Sequence, residues 1–148
     1  MSKALNMLTE RIKDAEDRAA RVLALARQDQ LRYEQQLGAL NEYRQIYSQQ
    51  LGDKASQGMG RDQLSHYQAF INKLDNAAQQ QQQGVRQVRA VAQQRQQEWQ
   101  QLQQKRKAME TLLERQAARE ALRQARQEQK LLDEFATIQH FHRQQPEP

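Results

Sequence analysis

The stretch from Tyr67 to Leu113 carries an apolar stripe that repeats every seven residues. Alternating steps of four and three residues lead from Tyr67 through Ile71, Leu74, Ala78, Gln81, Val85, Val88, Ala92, Arg95, Trp99, Leu102, Arg106 and Met109 to Leu113. Most of these positions are apolar, whereas Gln, Arg, Lys and Glu dominate between them. A helix underwound to about 3.5 residues per turn keeps such a stripe facing a partner. The pattern therefore predicts a coiled-coil helix that needs a second helix to cover it.

A second stripe in the first fifty residues predicts that partner helix. Its positions are Leu5, Leu8, Ile12, Ala15, Ala19, Val22, Ala26, Leu37, Leu40, Arg44, Tyr47 and Leu51. Near Tyr33 an additional four-residue step interrupts the alternation of fours and threes. Such a step is a stutter, which locally relaxes a left-handed supercoil, so we expect helix 1 to be continuous but straighter there.

A glycine cluster separates the two stripes and predicts a hairpin. Gly52, Gly58 and Gly60 are three of the five glycines, and glycine permits the positive φ that ends helices. A short loop between two helices makes them antiparallel neighbours. We therefore predict a single all-α domain, an antiparallel two-helix coiled-coil hairpin with an overhanging longer second helix. Its expected parts are helix 1 at about residues 3–51, a loop at about 52–61, helix 2 at about 62–141 and a loose tail at 142–148.

The net charge of +5 is concentrated in the second helix. Residues 84–130 hold eleven basic and five acidic side chains, which suits an acidic partner surface or a phosphate backbone. Arg115 and Arg119 begin a series of basic residues that a solvated helix face with a few ion pairs would also explain. Aromatic residues are absent between Trp99 and Phe135, so we do not expect nucleic-acid binding.

The sequence shows no chemistry of its own. A two-helix hairpin cannot enclose a substrate, so we expect no catalysis and no bound cofactor. The chain has no cysteine, and His140 and His142 would point to different helix faces, so we expect no metal site. The longest uncharged apolar run is Val22 to Ala26, far shorter than the roughly 20 residues of a spanning helix. Without a signal-sequence pattern at the N-terminus, these features predict a soluble, cytosolic protein with no membrane insertion.

Apolar and aromatic residues near the predicted loop exceed what a two-stranded stripe can hide. The surplus positions are Gln36, Leu40, Tyr43 and Tyr47 on helix 1 and Phe70, Leu74 and Ala77 on helix 2. One interpretation is a thicker core where the helix ends splay around the loop. The other is an exposed docking patch, because tyrosine and phenylalanine are typical anchors of interfaces.

Several short motifs resemble the FliJ family of flagellar export proteins. They are Leu40-Asn-Glu-Tyr43 followed by Tyr47 and Leu51, the glycine-rich loop, Tyr67-Gln-Ala-Phe70-Ile71 with Leu74 and Ala77, Leu113-Glu-Arg115-Gln116, and Asp133-Glu134-Phe135-Ala136. The resemblance covers almost the whole chain in matching order and spacing. It implies a cytosolic, non-enzymatic component of the flagellar type III export apparatus, peripherally associated with the inner face of the cell membrane at the flagellar base.

The resemblance also implies partners and sites. A FliJ-like stalk would bind the hexameric export ATPase ring and stimulate it, connect the ring to the cytosolic domain of the export gate, and escort export chaperones. The family's gate-binding patch maps onto the seven surplus positions above. The ATPase-binding end would comprise Leu5, Leu8, Ile12, Arg115, Arg119, Leu131, Leu132 and Phe135.

Two alternatives remain open from the sequence. In a homodimeric coiled-coil scaffold, a second copy of the chain would cover the stripe. The equivalent stalk of a virulence type III secretion system would share the architecture described above.

Overall fold

The chain folds into two long α-helices joined by a tight turn. A computed structural model describes residues 2–144, with α1 at Ser2–Ser56 and α2 at Arg61–Gln144. The two helices pack against each other, and no strand occurs among the described residues. The predicted all-α helical hairpin is therefore confirmed. The predicted loose tail falls partly on residues 145–148, which lie outside the described residues.

The turn is shorter than the glycine cluster suggested. Helix α1 continues through Gly52 to Ser56, and only residues 57–60 separate it from α2. Amide N–H groups of Gln57 and Gly58 donate to carbonyls three residues earlier, at 3.2 and 3.3 Å. Among the described residues, only Gly58 has a positive φ, of 92°, a conformation that residues with a side chain rarely adopt. A glycine costs a helix interior about 1 kcal/mol but does not break it, so Gly52 remains helical.

The contacts divide the chain into two compact units. One unit comprises residues 15–102, and the other comprises residues 1–14 together with 103–148. In the first unit, side chains of α1 and α2 bury the core residues Leu23, Ala26, Ala78, Val85 and Ala92. Small residues at most of these positions allow the two helices to approach closely.

The stripe of α2 is buried as predicted. Every position from Tyr67 to Leu113 in steps of four and three is buried or half-buried, and Val85 is the most enclosed, with 2% of its surface exposed. Gln81, one of the polar members of this stripe, has local partners: its amide donates to the carbonyl oxygen of Tyr33 at 3.1 Å and to Oε1 of Gln36 at 3.0 Å. These bonds explain how a glutamine occupies a position that favours apolar residues.

The stripe of α1 differs from the prediction at several positions. Leu8 and Val22 were expected to face α2, but 46% and 45% of their surfaces are exposed. The adjacent Thr9 and Leu23 are buried instead, with 3% and 5% exposed, and Glu16 is buried as well. The hydroxyl of Thr9 donates to the Leu5 carbonyl at 2.8 Å, so its burial leaves no unsatisfied donor.

The predicted stutter near Tyr33 was wrong. Inward positions of α1 continue regularly through Ala26, Gln30, Tyr33, Leu37 and Leu40, again in fours and threes. Gln30 fills the step that the apolar pattern lacked. Its side chain is half-buried and donates to Oε1 of Glu34 at 3.1 Å. The prediction failed because it placed Val22 rather than Leu23 inward, which made the step to Ala26 four residues instead of three.

Candidate functional site

The surplus residues near the turn form a patch in which packing and exposure are mixed. We call the seven predicted positions the tip patch: Gln36, Leu40, Tyr43, Tyr47, Phe70, Leu74 and Ala77. All lie in the unit formed by residues 15–102, on both helices. Four of them are half-buried between the helices, namely Leu40, Tyr47, Leu74 and Ala77.

Tyr47 is the packed centre of the tip patch. Its ring meets Phe70 edge-on at a centroid distance of 4.7 Å and Tyr67 at 6.5 Å. The hydroxyl of Tyr67 accepts a hydrogen bond from Lys54 at 2.6 Å, which fixes this ring near the turn. Tilted ring pairs of this kind contribute about 0.5–1.5 kcal/mol beyond their buried area. The thicker-core interpretation therefore applies to Tyr47 and its half-buried neighbours.

Tyr43 and Phe70 are the exposed members of the tip patch. Tyr43 has 53% of its surface exposed and Phe70 has 42%, whereas Gln36 is exposed but bonded to Gln81. The docking interpretation fits Tyr43 and Phe70 best, because half-buried members such as Tyr47 are already partly covered by the opposite helix. The structure thus divides the tip patch into an inner packed part and an outer accessible part.

Ile46 is an exposed neighbour of the tip patch that the sequence prediction missed. It has 43% of its surface exposed and follows Tyr43 by three residues, which places both side chains on one face of α1. The prediction followed steps from Leu40 to Tyr43 and Tyr47, and Ile46 falls outside that series. The signal that could have identified it is an apolar β-branched residue on the outer side of the inward positions.

Ion pairs flank the tip patch across the two helices. Arg44 Nη1 lies 3.2 Å from Asp75 Oδ1, and Arg89 Nε lies 2.8 Å from Glu34 Oε1. Hydrogen bonds from Gln30 and Arg89 lower the pKa of the Glu34 carboxyl below its usual value. Exposed pairs contribute about 0.2–1 kcal/mol each, so their main effect is to favour this register over others.

The second predicted site lies in the unit formed by residues 1–14 and 103–148. In this unit Leu5 and Ile12 are half-buried, whereas Leu8 is exposed. An ion pair joins the two helices here, with Lys13 Nζ 3.8 Å from Glu110 Oε1. Half-buried side chains of α2 end at Gln116. Beyond it, every residue from 117 to 144 is exposed, which we call the overhang.

The overhang presents large apolar side chains to solvent. Leu131, Leu132 and Phe135, which were predicted as anchors, have 65%, 64% and 59% of their surfaces exposed. Leu122, Ile138 and Phe141 are exposed to a similar degree, at 53%, 55% and 61%. Such a density of exposed apolar side chains is unusual for a surface that remains free. Arg115 and Arg119 are also exposed, on the same helix.

No group of three or more His, Asp or Glu side chains in residues 2–144 is arranged to hold a metal ion. None of the described helices is both long and apolar enough to cross a membrane.

Comparisons with known proteins identify the family. The sequence profile described as "Flagellar FliJ protein" matches residues 1–145. A flagellar FliJ protein of Escherichia coli strain K12 is 34% identical over 124 residues, which cover 84% of each chain. A flagellar FliJ protein of Salmonella typhi is 31% identical over 133 residues, which cover 90% of each chain. No solved structure is a significant match. With a family match over nearly its whole length and two such relatives, the chain belongs to the flagellar FliJ family.

Proposed function

We propose that the chain is the coiled-coil stalk of the flagellar type III export apparatus, which binds the hexameric export ATPase, couples it to the export gate and escorts export chaperones. Membership of the FliJ family supports a component of this apparatus. The observation that carries the finer proposal is the overhang, a helix of exposed apolar residues with no covering partner within the described chain.

The overhang is the proposed ATPase-binding element, together with the N-terminal residues of the same unit. Leu131, Leu132 and Phe135 are the proposed anchors, since each exposes more than half of its surface. A single helix is about 10–12 Å wide with its side chains, so it can enter the central opening of a ring of subunits. A partner that covers these side chains would remove from water the apolar surface that the hairpin leaves exposed, which favours binding.

The outer part of the tip patch is the proposed gate-binding surface. Tyr43 and Phe70 are exposed, yet Phe70 is held by its edge-on contact with Tyr47. A ring whose position is already fixed loses little conformational freedom on binding, which favours its use as an anchor. The proposed cytoplasmic location, peripheral to the inner face of the cell membrane, follows from binding to the gate.

The coupling role rests on the continuity of the helices. Helices α1 and α2 run without interruption over 55 and 84 residues. A continuous helix has no soft hinge, so a displacement imposed by the ATPase on one part of it can act on a partner bound elsewhere. The energy would come from the ATPase, and the chain itself would not be an enzyme. No particular residues are assigned to chaperone escort.

A two-by-two binding experiment tests this proposal. The first variant lacks residues 128–148, and the second carries Tyr43→Ala with Phe70→Ala. Each is assayed for stimulation of the export ATPase and for binding to the cytosolic domain of the gate. We expect the truncation to lose only stimulation and the double substitution to lose only gate binding.

Two controls make the experiment decisive. Circular dichroism should show helical content close to that of the wild type, after allowance for the deleted residues. Leu25→Ala with Leu31→Ala removes exposed apolar side chains outside both surfaces and should retain both activities. Loss of both activities in either of the two test variants, with the helices intact, would contradict separate binding sites.

The alternative of a virulence-system stalk is not favoured, because both relatives and the family profile are flagellar.

A further inference from the structure

The beginning of the overhang concentrates positive charge on one helix face. At 100° per residue, its basic side chains fall within an arc of about 80°. They are Arg115, Arg119, Arg123, Arg126 and Lys130, which we call the basic arc. The acidic residues of the same segment, Glu114, Glu120 and Glu128, all fall outside this arc by the same geometry.

Within the part of the chain that the structure describes, one member of the basic arc forms an ion pair. Arg123 pairs with Glu120, with Nη2 at 2.6 Å from Oε1, and this contact raises the pKa of the guanidinium and lowers that of the carboxyl. The other four side chains have no carboxylate within ion-pair distance among residues 2–144. Ion pairing within the described residues therefore accounts for only one of the five basic side chains.

The arrangement is unfavourable for the isolated helix. Arg115 and Arg119, Arg119 and Arg123, and Arg126 and Lys130 are each four residues apart. Like charges at this spacing repel and destabilise a helix. Because the overhang is fully exposed, no packing requirement within the described residues explains this repeated repulsion. An external acidic surface would convert the repulsion into attraction.

Leu122 lies beside the basic arc, about 20° beyond Arg115 on the helix surface. Together with Arg119, Arg123, Arg126, Gln127 and Lys130 it lines a shallow, open groove along α2. Its side chain has 53% of its surface exposed. An exposed apolar side chain therefore lies next to the positively charged side chains, a combination that suits a protein-binding surface.

We propose that the basic arc and Leu122 bind an acidic protein surface that contains an apolar socket. This inference rests on the proposed function, because we assign the acidic surface to the export ATPase. It adds the chemistry of that contact. A phosphate backbone would leave Leu122 without an apolar partner, and the segment has no aromatic residue for stacking on bases.

Charge removal at three positions tests the proposal. Arg119→Gln, Arg126→Gln and Lys130→Gln are combined in the full chain, because glutamine keeps a similar helix propensity. Binding to the hexameric export ATPase is measured by titration calorimetry at two salt concentrations. We expect the dissociation constant to rise about ten-fold or more at low salt and its dependence on salt to decrease, because exposed charges act through screened attraction.

The matched control removes three positive charges elsewhere. Arg21→Gln, Arg27→Gln and Arg86→Gln produce the same net charge change at exposed positions with no ion pair among the described residues. This variant should bind with a dissociation constant within about two-fold of the wild type. An equal loss in both triple variants would assign the effect to overall charge and overturn the proposal.

A separate variant tests the apolar residue beside the basic arc. Leu122→Ala should raise the dissociation constant about five- to ten-fold, whereas Leu25→Ala, at a site with 62% of its surface exposed, should not change it. Unchanged binding in both Leu122→Ala and the Arg119 triple variant would overturn the proposal while leaving ATPase binding intact. If the wild type does not bind the ATPase, the proposed function fails first.

Two further probes check the class of partner. A 20-base-pair DNA duplex and vesicles containing anionic phosphatidylglycerol are titrated at the same salt concentrations. We expect binding to both to be at least ten-fold weaker than binding to the ATPase. Tighter binding to either probe, lost in the triple variant, would overturn the assignment to an acidic protein surface.

Discussion

The ring of Tyr33 lies against the backbone of Gly84 on the opposite helix. A Cβ atom built on Gly84 would stand 3.0 Å from Cε1 and 3.1 Å from Cδ1 of this ring. These distances are shorter than ordinary van der Waals contacts, so the absence of a side chain at residue 84 is what admits the tyrosine. The nearby hydrogen bond from Gln81 to the Tyr33 carbonyl fixes the same part of α1.

Gly84→Ala should therefore stabilise the chain to different extents in two backgrounds. Replacing a helical glycine with alanine stabilises a helix by about 1 kcal/mol when nothing opposes it. In the wild type we expect the Tyr33 ring to cancel most of this gain, whereas in Tyr33→Ala the full gain should appear. Urea unfolding of the four proteins in a double-mutant cycle measures the coupling. Equal gains in both backgrounds would show that the ring moves aside without cost.

Leu23 and Val22 provide a second test, because they are adjacent and differ mainly in burial. Leu23 has 5% of its surface exposed and Val22 has 45%. We expect Leu23→Ala to lower the free energy of unfolding by about 2–3 kcal/mol, through lost burial and a residual cavity. Val22→Ala should lower it by less than about 0.5 kcal/mol. Similar losses in chemical denaturation would indicate that Val22 faces α2 after all.

The two helices differed in how well sequence alone predicted their packing. The stripe of α2 could be followed without error because its inward positions are mostly apolar. In α1, Thr9, Glu16 and Gln30 are inward, and their polar side chains hid the true series. The prediction instead placed the adjacent Leu8 and Val22 inward. Neighbouring residues of a helix point in directions about 100° apart, so these two side chains do not face α2. Burial of a polar group depends on its bonding partner, which composition cannot reveal.

The candidate surfaces show the same limit. The unequal lengths of the two helices predicted an overhang without a partner. The exposed side chains of Leu131 and Phe135 agree with that prediction. Which aromatic residues of the tip patch face outward could not be predicted, because Tyr43 and Tyr47 differ by only one helical turn. Their separation into exposed and packed residues depends on the rings of Tyr67 and Phe70 across the interface.

Glu34 should make stability depend on pH in acid. Hydrogen bonds from Gln30 and Arg89 lower its pKa in the folded chain from the usual value of 4.5. Because the folded pKa is the lower one, its contribution is complete above about pH 4.5 and is lost as the pH falls through the folded value. The melting temperature of Glu34→Gln should thus lie below that of the wild type at pH 7, with the difference disappearing in acid. Glu42→Gln, at an exposed residue without an ion pair, should show no such convergence.

The oligomeric state distinguishes an intramolecular hairpin from a homodimeric scaffold. In this structure α1 and α2 of one chain cover each other's stripes, and Val85 and Leu23 are buried without a second copy. A melting temperature that does not change with protein concentration is therefore expected, because folding within one chain has no association step. Sedimentation equilibrium over a hundred-fold range of concentration should give a mass near 17.4 kDa throughout. A mass of twice this value, together with a melting temperature that falls on dilution, would instead favour the scaffold and return the stripe of α2 to an intermolecular interface.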